Sequence, residues 1–566
     1  MKNANTTGNN SIKIGAFSII VLLSVILSVA LSWYKVSYSF SVSTEEKNIM
    51  QDEFISDNVE FNSSTGEYIP VNNDPWILFQ GYNDEFDGVL VEIEEPVINA
   101  SPVTLYWTAA NSDILSESHT KNSQFDEGQK TCYLKLPSYA VNYVRLDIDR
   151  ECVIKGIYLC HESPEITYGF GSEFVISVLI RFAIILILLI FAYKSHAERS
   201  KKFGHPVKGL FLNENSADHK YEYDYLRTLA ALCVIAEHSV CEAYTPNVSL
   251  GDPGYGTLRF ILALSICCNV LYVMLSGALI LVPREESFKT FYIKRLGKVL
   301  IPLVSYFLLY IIQGYHNEVF ADGIGPGMKE IFKGLLTGRS DYMPHMWLVY
   351  VILGLYILAP LFRIVIAKIS EGTLLGIIVA GFIFNCLTTY LPIADINFGI
   401  DTPIAGWLGV FLLGYYMTTE HAKKYYWIFI AGGLVGIVTA FLMVYYRPEL
   451  LYHTSNWTPN MWLVGAGLFA VVLKCKKIFS RPSVIIASIS KYNFSIMLIH
   501  VLLLLKFVLP YGWSFEADHG HLTLCVIGMI LACFIFSYVV AFVFDNTVIT
   551  AINYIYNKIT KKALTK

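Results

Sequence analysis

Long apolar runs separated by short polar loops dominate this 566-residue chain. The first two runs, at 14–34 and 174–193, each have the roughly 20 residues that a helix needs to cross a bilayer. Ten further runs follow, at 226–244, 258–282, 297–315, 346–366, 373–391, 402–418, 425–446, 459–474, 486–510 and 522–545. We therefore predict a polytopic α-helical membrane protein with about twelve transmembrane helices, two followed by ten.

The stretch between the first two apolar runs follows a different pattern. Residues 36–170 are polar and contain alternating segments such as Val89–Ile93, Val103–Trp107 and Val144–Ile148. Alternation of apolar and polar positions is typical of half-buried strands, and no long amphipathic helix interrupts it. An all-β domain, a small sandwich or jelly roll, is predicted between the first two helices.

Aromatic residues and cysteines in this β region raise two questions. Trp76, Tyr106 and Trp107 are candidates for stacking on sugars, and the alternative is that they fill the core or rim of the sandwich. Cys152 and Cys160 would form a disulfide if they faced each other across a hairpin, and the sequence leaves this open, as it does for Cys132.

Charge then sets the predicted orientation. Lysine and arginine gather in alternate loops, whereas the intervening loops carry aspartate. Because positive residues stay in the cytoplasm, both termini are predicted there, in a multi-pass plasma-membrane protein whose β domain is extracytoplasmic. A cleaved signal peptide is the alternative for the first run, but its length favours an anchor. The predicted organisation is a tail and first helix (1–35), the β domain (36–170), a second helix and basic linker (171–220), a ten-helix domain (221–550) and a basic tail (551–566).

Composition narrows the classes of protein. Hydrophobic residues make up 54% of the chain and charged residues 16%, against about 25% charged in ordinary soluble domains. This argues against a soluble enzyme and for the lipid bilayer as a partner. The net charge of −4 provides no global field for nucleic acid. No zinc-type cysteine spacing is present, so no metal is expected.

Ionisable residues within the apolar runs are the candidate functional groups, because charge is expensive inside lipid. Arg227 and His238 are eleven residues apart, so on a helix they share a face and lie about 16 Å apart along the axis. This places Arg227 at the cytoplasmic edge and His238 near mid-membrane. Glu237 is expected to pair with another helix, because adjacent side chains diverge. The alternatives are a topology signal for Arg227 and a structural hydrogen bond for His238.

A basic loop and two later histidines add candidates. Arg295 and Lys298 are adjacent on one helical face and suited to grip phosphate, or else they only mark the cytoplasmic side. His345 and His500 lie at or within later spans, where a structural role in the bundle is the alternative. Lys491 and Asp545 flank apolar runs and are interpreted as ordinary interface residues.

Together these residues resemble the acyltransferase family 3 integral-membrane O-acyltransferases over about residues 220–550. The segment from Arg227 to His238 is similar to that family's arginine–ten residues–histidine motif. Lys298 departs from the pattern, where a second arginine is frequent, and lysine lacks the same bidentate phosphate contact. The other similar blocks, in order, are Ser276–Gly277, Phe291–Pro302, His345–Tyr350, Leu355–Tyr356, Pro360–Arg363, Phe411–Tyr416 and Ser495–His500.

The resemblance implies a reaction and roles for these residues. An acyl group, usually acetyl from cytoplasmic acetyl-CoA, would pass to a sugar hydroxyl at or beyond the outer face. His238 would act as general base or carry the acyl group, and Glu237 would orient it. The donor would bind at Arg227, Tyr292, Arg295 and Lys298, and the acceptor side would include His345, Trp347 and His500.

Two other functions compete with this one. A transporter or flippase for polysaccharide or lipid-linked sugar would use the histidines to relay protons, but the sequence contains no obvious inverted repeat or pair of broken helices. A carbohydrate-binding surface sensor would use the membrane segments as an anchor only, and ten extra spans exceed that need.

Overall fold

The computed structural model of the chain divides into two compact units. One unit contains the β strands, and the other contains the helices from Leu186 onward. Residues 1–16 of the predicted N-terminal tail lie outside the described part of the chain. The described residues are 17–29, 32, 39–42, 48–50, 52, 54–62, 64–71, 75–80, 86, 88–98, 100–109, 120–125, 127–135, 141–149, 152–160, 162–165, 172–203, 208–212, 219–241, 250–251, 253–315, 319, 324–338, 340, 343–396, 402–512 and 521–564.

The β unit is built from antiparallel strands in two five-stranded sheets and one two-stranded sheet. The strand order is β2-β5-β10-β7-β8 in one large sheet and β3-β4-β11-β6-β9 in the other, and β1 pairs with β12. The strands are β1 (Ser39–Val42), β2 (Phe54–Asp57), β3 (Val59–Asn62), β4 (Glu67–Pro70), β5 (Trp76–Gln80), β6 (Gly88–Ile93), β7 (Ser101–Ala109), β8 (Thr120–Phe125), β9 (Thr131–Lys135), β10 (Val141–Ile148), β11 (Ile154–Cys160) and β12 (Glu162–Glu165).

Both large sheets contribute to one hydrophobic core. Val144 and Leu146 of β10 are buried in it, and Val89 and Val91 of β6 enter from the other sheet. Along β10 the buried positions alternate with partly exposed ones, which is the period of two that the sequence pattern shows. The predicted all-β region is confirmed as a two-sheet sandwich, and the three predicted strand segments lie within β6, β7 and β10.

The three candidate aromatics of this unit have different environments. Trp107 is 6% exposed and belongs to the core, as the alternative interpretation held. Trp76 and Tyr106 instead flank Arg145, whose guanidinium carbon lies 4.7 and 5.3 Å from their ring centroids. Arg145 also forms a two-pronged ion pair with Asp147 at 2.6 and 2.8 Å. Sugar binding by these residues stays a prediction.

The hypothesis of a Cys152–Cys160 disulfide is wrong. Cys160 ends β11 and Cys152 lies two residues before the start of the same strand, so about 25 Å of extended chain separates them. A disulfide needs Cα atoms within about 7 Å. None of the described cysteines, Cys132 included, forms a disulfide.

Fifteen long helices account for most of the remaining described chain. Three short helices (Lys208–Phe211, Glu420–Lys423, Lys476–Phe479), four 3-10 turns (Pro344–Met346, Leu391–Ala394, Pro403–Ala405, Pro448–Thr454) and two π-helical segments (Leu504–Val508, Asp545–Ile549) connect or extend them. The long helices are α1 (Phe17–Val29), α2 (Ser172–Phe203), α3 (Glu222–Val240), α4 (Tyr255–Ser265), α5 (Cys268–Ile280), α6 (Phe288–Gly314), α7 (Ile324–Thr337), α8 (Trp347–Ile366), α9 (Glu371–Tyr390), α10 (Trp407–Tyr416), α11 (Tyr426–Tyr446), α12 (Pro459–Lys474), α13 (Val484–Leu503), α14 (Leu522–Phe544) and α15 (Thr550–Leu564).

Helices occur in every apolar segment that the pattern predicted, but fewer than twelve are long and apolar enough to span a bilayer. Eight such spans are found among the described residues, and α4 and α5 together form one of them. Helices α1, α10 and α12 are apolar but shorter, and α3 is in neither group because it carries several charges. The structure also contains α7, which the pattern did not predict. The number of twelve spans and their orientation stay predictions.

Glycines let two of these helices touch backbone to backbone. A Cβ atom at Gly277 of α5 would collide with the backbone carbonyl of Phe411 in α10, and one at Gly414 would collide with the backbone of Met274. Small residues at helix crossings permit this close approach in membrane proteins. The α5–α10 contact therefore depends on the absence of side chains at these two positions.

Candidate functional site

A cluster of opposite charges joins the start of α6 to the end of α8. The carboxylate of Glu286 lies 3.6 Å from Arg363 Nη1, 3.9 Å from Arg295 Nη2 and 3.4 Å from Lys294 Nζ. We call Glu286, Arg295 and Arg363 the guanidinium cluster. Arg363 is 7% exposed and donates from Nε to the backbone carbonyl of Ile280 at 2.6 Å. Burial of an arginine in this way is rare unless it is paired.

A cavity of about 370 Å³ adjoins this cluster. Arg363 and Glu286 line it together with Phe288 and Phe291, and the Arg363 guanidinium stacks 4.8 Å from the Phe291 ring centroid. Burial alone would raise the pKa of Glu286, but the neighbouring Arg295, Lys294 and Arg363 outweigh it and hold that pKa below its usual value. The carboxylate therefore stays ionised, and the cluster combines fixed cations with apolar ring surface.

Arg227 of α3 lies near this cluster and is held by neighbours of its own. Its Nη1 donates to Asp224 at 3.0 Å and to Ser490 of α13 at 3.2 Å. Ser490 also donates to Asp224 at 2.6 Å, which ties α3 to α13. Tyr356 of α8 makes a polar contact with Ser276 and lies within electrostatic range of both Arg227 and Arg295.

Three histidines from three distant parts of the chain meet in a second cluster. The ring centroids of His238 and His500 are 5.1 Å apart, those of His345 and His500 are 5.4 Å apart, and those of His238 and His345 are 6.4 Å apart. We call these residues the histidine cluster. The hydroxyl of Tyr310 lies 3.3 Å from His345 Nε2 and accepts a hydrogen bond from the Leu502 amide at 2.9 Å.

The side chains of His238 and Glu237 contact each other, which corrects the expectation that they diverge. His238 Nε2 lies 3.4 Å from Glu237 Oε2. His238 occupies the last turn of α3, two residues before Val240. The Cα–Cβ directions of adjacent residues differ by about 100°, but the three flexible torsions of glutamate bring its carboxylate back to the ring.

Three helices connect the two clusters or residues directly beside them. On each helix one residue near the guanidinium cluster is paired with one near the histidine cluster. On an ideal helix, the two residues of a pair would be separated by about 16 Å on α3, about 22 Å on α6 and about 27 Å on α8. His345 stands in the 3-10 turn Pro344–Met346 that leads directly into α8. The pairs are Arg227 and His238 on α3, Arg295 and Tyr310 on α6, and Arg363 and His345 on α8.

Three other predicted site residues lie beside the clusters. Lys298 is exposed one turn beyond Arg295. The Tyr292 hydroxyl donates to the carbonyl of Ile357 at 2.8 Å and so links α6 to α8. Trp347 begins α8 next to the histidine cluster. Its ring centroid lies 5.7 Å from that of Trp407, and the Trp407 ring centroid lies 5.4 Å from that of Trp457, so the three rings form a row.

Sequence reasoning missed several residues that the fold brings to these places. The sequence-based predictions do not identify Glu286, Arg363 or Tyr310 as site residues. Arg363 could have been found, because it ends the Pro360–Arg363 block of the family resemblance. Asp545 was interpreted as an interface residue, but its carboxylate accepts hydrogen bonds from Tyr306 at 3.0 Å and from Ser495 at 2.9 and 2.8 Å. No local sequence pattern identifies Asp545 as a site residue, because its partners come from α6 and α13.

The surroundings of the histidine rings can be compared with the geometry of a metal site and with that of hydrogen bonding. Within the part of the chain that the structure describes, no group of three or more histidine, cysteine, aspartate or glutamate side chains has the geometry of a metal site. Two of the three histidine rings contact backbone carbonyls: His345 Nε2 lies 3.1 Å from the Leu498 oxygen, and His500 Nδ1 lies 2.7 Å from the Met497 oxygen.

Comparison with known families covers the helical unit. The family model described as an acyltransferase domain, that of acyltransferase family 3, matches residues 220–538. This match covers more than half of the chain and includes both clusters. No curated protein and no solved structure matches the chain. The apolar helices and the family match agree with the resemblance in the sequence motifs, and the chain is a membrane protein that belongs to acyltransferase family 3.

Proposed function

We propose that this protein transfers an acyl group, acetyl in the first instance, from cytoplasmic acyl-CoA across the membrane to a hydroxyl of a cell-surface or exported glycan. One observation carries the proposal. Arg295, Arg363 and the nearby Arg227 lie at one end of α6, α8 and α3, and Tyr310, His345 and His238 lie at the other end, so that an anion-binding site and a proton-transfer site are joined by three shared helices. A donor with phosphates at one end and a thioester at the end of a thin arm suits this spacing.

The donor end supports recognition of phosphate. The Nε atom of Arg295 and the Nη2 atom of Arg363 are buried, and neither has a hydrogen-bond partner among the described residues. Guanidinium groups form strong, charge-assisted bonds with phosphate oxygens. We assign donor binding to Arg227, Arg295 and Arg363, with Lys298 as a flanking cation. Tyr292 contributes by holding α6 against α8.

The opposite end supports a hydroxyl acceptor with ring faces. Trp347 starts the row of three tryptophan rings next to His345, and Trp457 at the end of the row is 42% exposed. Indole rings offer flat apolar surface with one polar edge, which suits the faces of a sugar ring. A glycan acceptor would then present its hydroxyl to the histidine cluster.

The chemistry needs a proton acceptor and a route for the leaving group. The acceptor oxygen attacks the thioester carbon, the C–S bond breaks with its electron pair on sulfur, and the hydroxyl proton ends on the departing thiol. Imidazole performs such transfers near neutral pH. His238, at the end of the helix that carries Arg227, is proposed to act in this step as base or as carrier of the acyl group, with Glu237 as its partner.

The experiment compares His238→Ala with the wild type in cells that carry the natural glycan. Ester-linked acyl groups on the surface glycan are measured, and protein abundance is checked by immunoblot. We expect the variant to lose essentially all ester. His521→Ala is the matched control, because His521 is exposed and is not a member of the histidine cluster, and it should leave ester content unchanged.

The same measurement separates the transporter alternative. A transporter would leave the ester content per glycan unchanged in His238→Ala and reduce instead the amount of glycan that reaches the surface. Equal ester content in the wild type and in a stably present His238→Ala protein would refute the proposed acyl transfer.

A further inference from the structure

The hydrogen bond of His500 determines which of its nitrogens carries a proton. His500 Nδ1 lies 2.7 Å from the carbonyl oxygen of Met497. A carbonyl can only accept, so Nδ1 is the donor and the neutral ring keeps its lone pair on Nε2. His500 is fully buried, and Nε2 has no hydrogen-bond partner among the described residues. The ring thus presents one basic nitrogen to its surroundings.

His345 is arranged in the complementary way. Its Nε2 lies 3.1 Å from the Leu498 carbonyl and therefore carries the proton. Its lone pair is on Nδ1, which is buried and has no partner among the residues that the structure describes. Two neutral imidazoles of the histidine cluster therefore present buried lone pairs, and a buried acceptor without a donor is destabilising. The ligand that suits them is a hydrogen-bond donor, such as a hydroxyl group.

His238 differs from both because it has an acidic neighbour. Its Nε2 lies 3.4 Å from Glu237 Oε2, so a hydrogen-bond acceptor faces this nitrogen. It is also the member of the cluster whose helix leads back to Arg227. One ring of the pair thus faces a carboxylate and the other presents a buried lone pair, an arrangement in which the first can give a proton and the second can take one.

We propose that His500, rather than His238, is the base that takes the proton from the acceptor hydroxyl, and that the role of His238 is on the donor side of the same reaction. This inference rests on the proposed function. The acceptor O–H bond breaks and its proton passes to His500 Nε2, while the oxygen forms the new bond to the acyl carbon. The C–S bond breaks, and the thiolate takes a proton from His238. Proton exchange between the two rings, 5.1 Å apart, restores both.

Two substitutions at one position separate a base from a hydrogen-bond acceptor. In His500→Asn the side-chain amide can still donate to the Met497 carbonyl, but the basic nitrogen is lost. In His500→Gln an amide oxygen can accept a hydrogen bond near the Nε2 position without being basic. We expect both variants to lower glycan ester content by about 100-fold or more, as removal of a general base does.

Hydroxylamine supplies the second readout, because its nitrogen attacks a thioester without deprotonation by a base. Purified full-length protein is incubated with acetyl-CoA and hydroxylamine, and release of free CoA is measured. We expect His500→Asn to retain this reaction within about threefold of the wild type, whereas His238→Ala loses it.

Three results would overturn the assignment. If His500→Asn formed nearly as much glycan ester as the wild type, His500 would not be an essential base. If His500→Gln formed ester and His500→Asn did not, His500 would be a positioning residue and not the base. Loss of the hydroxylamine reaction together with ester would indicate a defect on the donor side. Failure of the proposed function has a different signature, since His238→Ala would then match the wild type in ester content whatever His500 does.

Discussion

The imidazole ring centroids of His238 and His500 lie 5.1 Å apart, although the two residues belong to helices α3 and α13 from distant parts of the chain. The two helices run in the same direction, and contacts near their starts set their register. Ser490 donates to Asp224 at 2.6 Å, and the Asn493 side chain donates to the carbonyl of Arg227. The polar contacts at one end of the pair thereby align the histidines at the other.

Loss of a buried guanidinium should weaken binding of the donor. Arg363→Gln and Arg295→Gln each remove a charge-assisted hydrogen bond, worth about 1.5–3 kcal/mol, so we expect the Kd of acetyl-CoA to rise about tenfold or more. Isothermal titration of the purified full-length protein measures this. Arg363→Lys keeps the charge but loses the fork and should bind with intermediate affinity.

The control for these variants is Arg481→Gln, which removes a positive charge from an exposed side chain and should bind acetyl-CoA as the wild type does. Unchanged affinity in both cluster variants would mean that Arg295 and Arg363 serve only to anchor and orient the helices.

Acid should destabilise the junction of α6 and α8 through Glu286. Its pKa in the folded protein lies below the ordinary value of 4.5, so its ion pairs contribute stability above that value and lose it as the pH falls through the lowered one. Melting temperatures in detergent between pH 7 and pH 3 measure the effect. We expect a steeper decline in the wild type than in Glu286→Gln; parallel curves would show that these ion pairs contribute nothing measurable.

A side chain at Gly277 or Gly414 should force α5 and α10 apart. Gly277→Ala and Gly414→Ala are each expected to reduce the free energy of unfolding by on the order of 1–3 kcal/mol, as overpacking does. Gly354→Ala in α8 is the matched control, since a Cβ atom there meets nothing within 4 Å. Thermal unfolding in detergent compares them, and equal stability of all three variants would contradict the close helix contact.

The Tyr310 hydroxyl should matter for acyl transfer and not for donor binding. It accepts a hydrogen bond from the Leu502 amide and contacts His345 Nε2. Tyr310→Phe removes both interactions, and each lost hydrogen bond is worth about 1 kcal/mol of stability. We expect ester formation to fall by about tenfold while the Kd of acetyl-CoA stays unchanged. Tyr511→Phe alters an exposed tyrosine and should leave ester formation unchanged. If Tyr310→Phe formed as much ester as the wild type, the Tyr310 hydroxyl would have no role in acyl transfer.

Much of the fold follows from periodicity. Alternation along segments such as Val144–Ile148 predicts strands, because one face of a sheet packs on the core. Apolar runs predict helices at all ten positions after residue 220. The pattern does not determine the number of membrane spans, since α10 and α12 are shorter than the eight candidate spans and α3 carries charge. Local rules also fail at Glu237, where flexible side-chain torsions bring the carboxylate to the adjacent ring.

The sequence by itself determined the membrane class, the all-β region, the family and the eleven-residue spacing of Arg227 and His238. These properties depend on local patterns, which hydrophobic burial and helix geometry translate directly into structure. Only the tertiary structure decided that His345 and His500 join His238, and that Glu286 bridges Arg295 and Arg363. Such contacts arise between helices far apart in the chain, where register is set by interhelical packing and hydrogen bonds that no local pattern encodes.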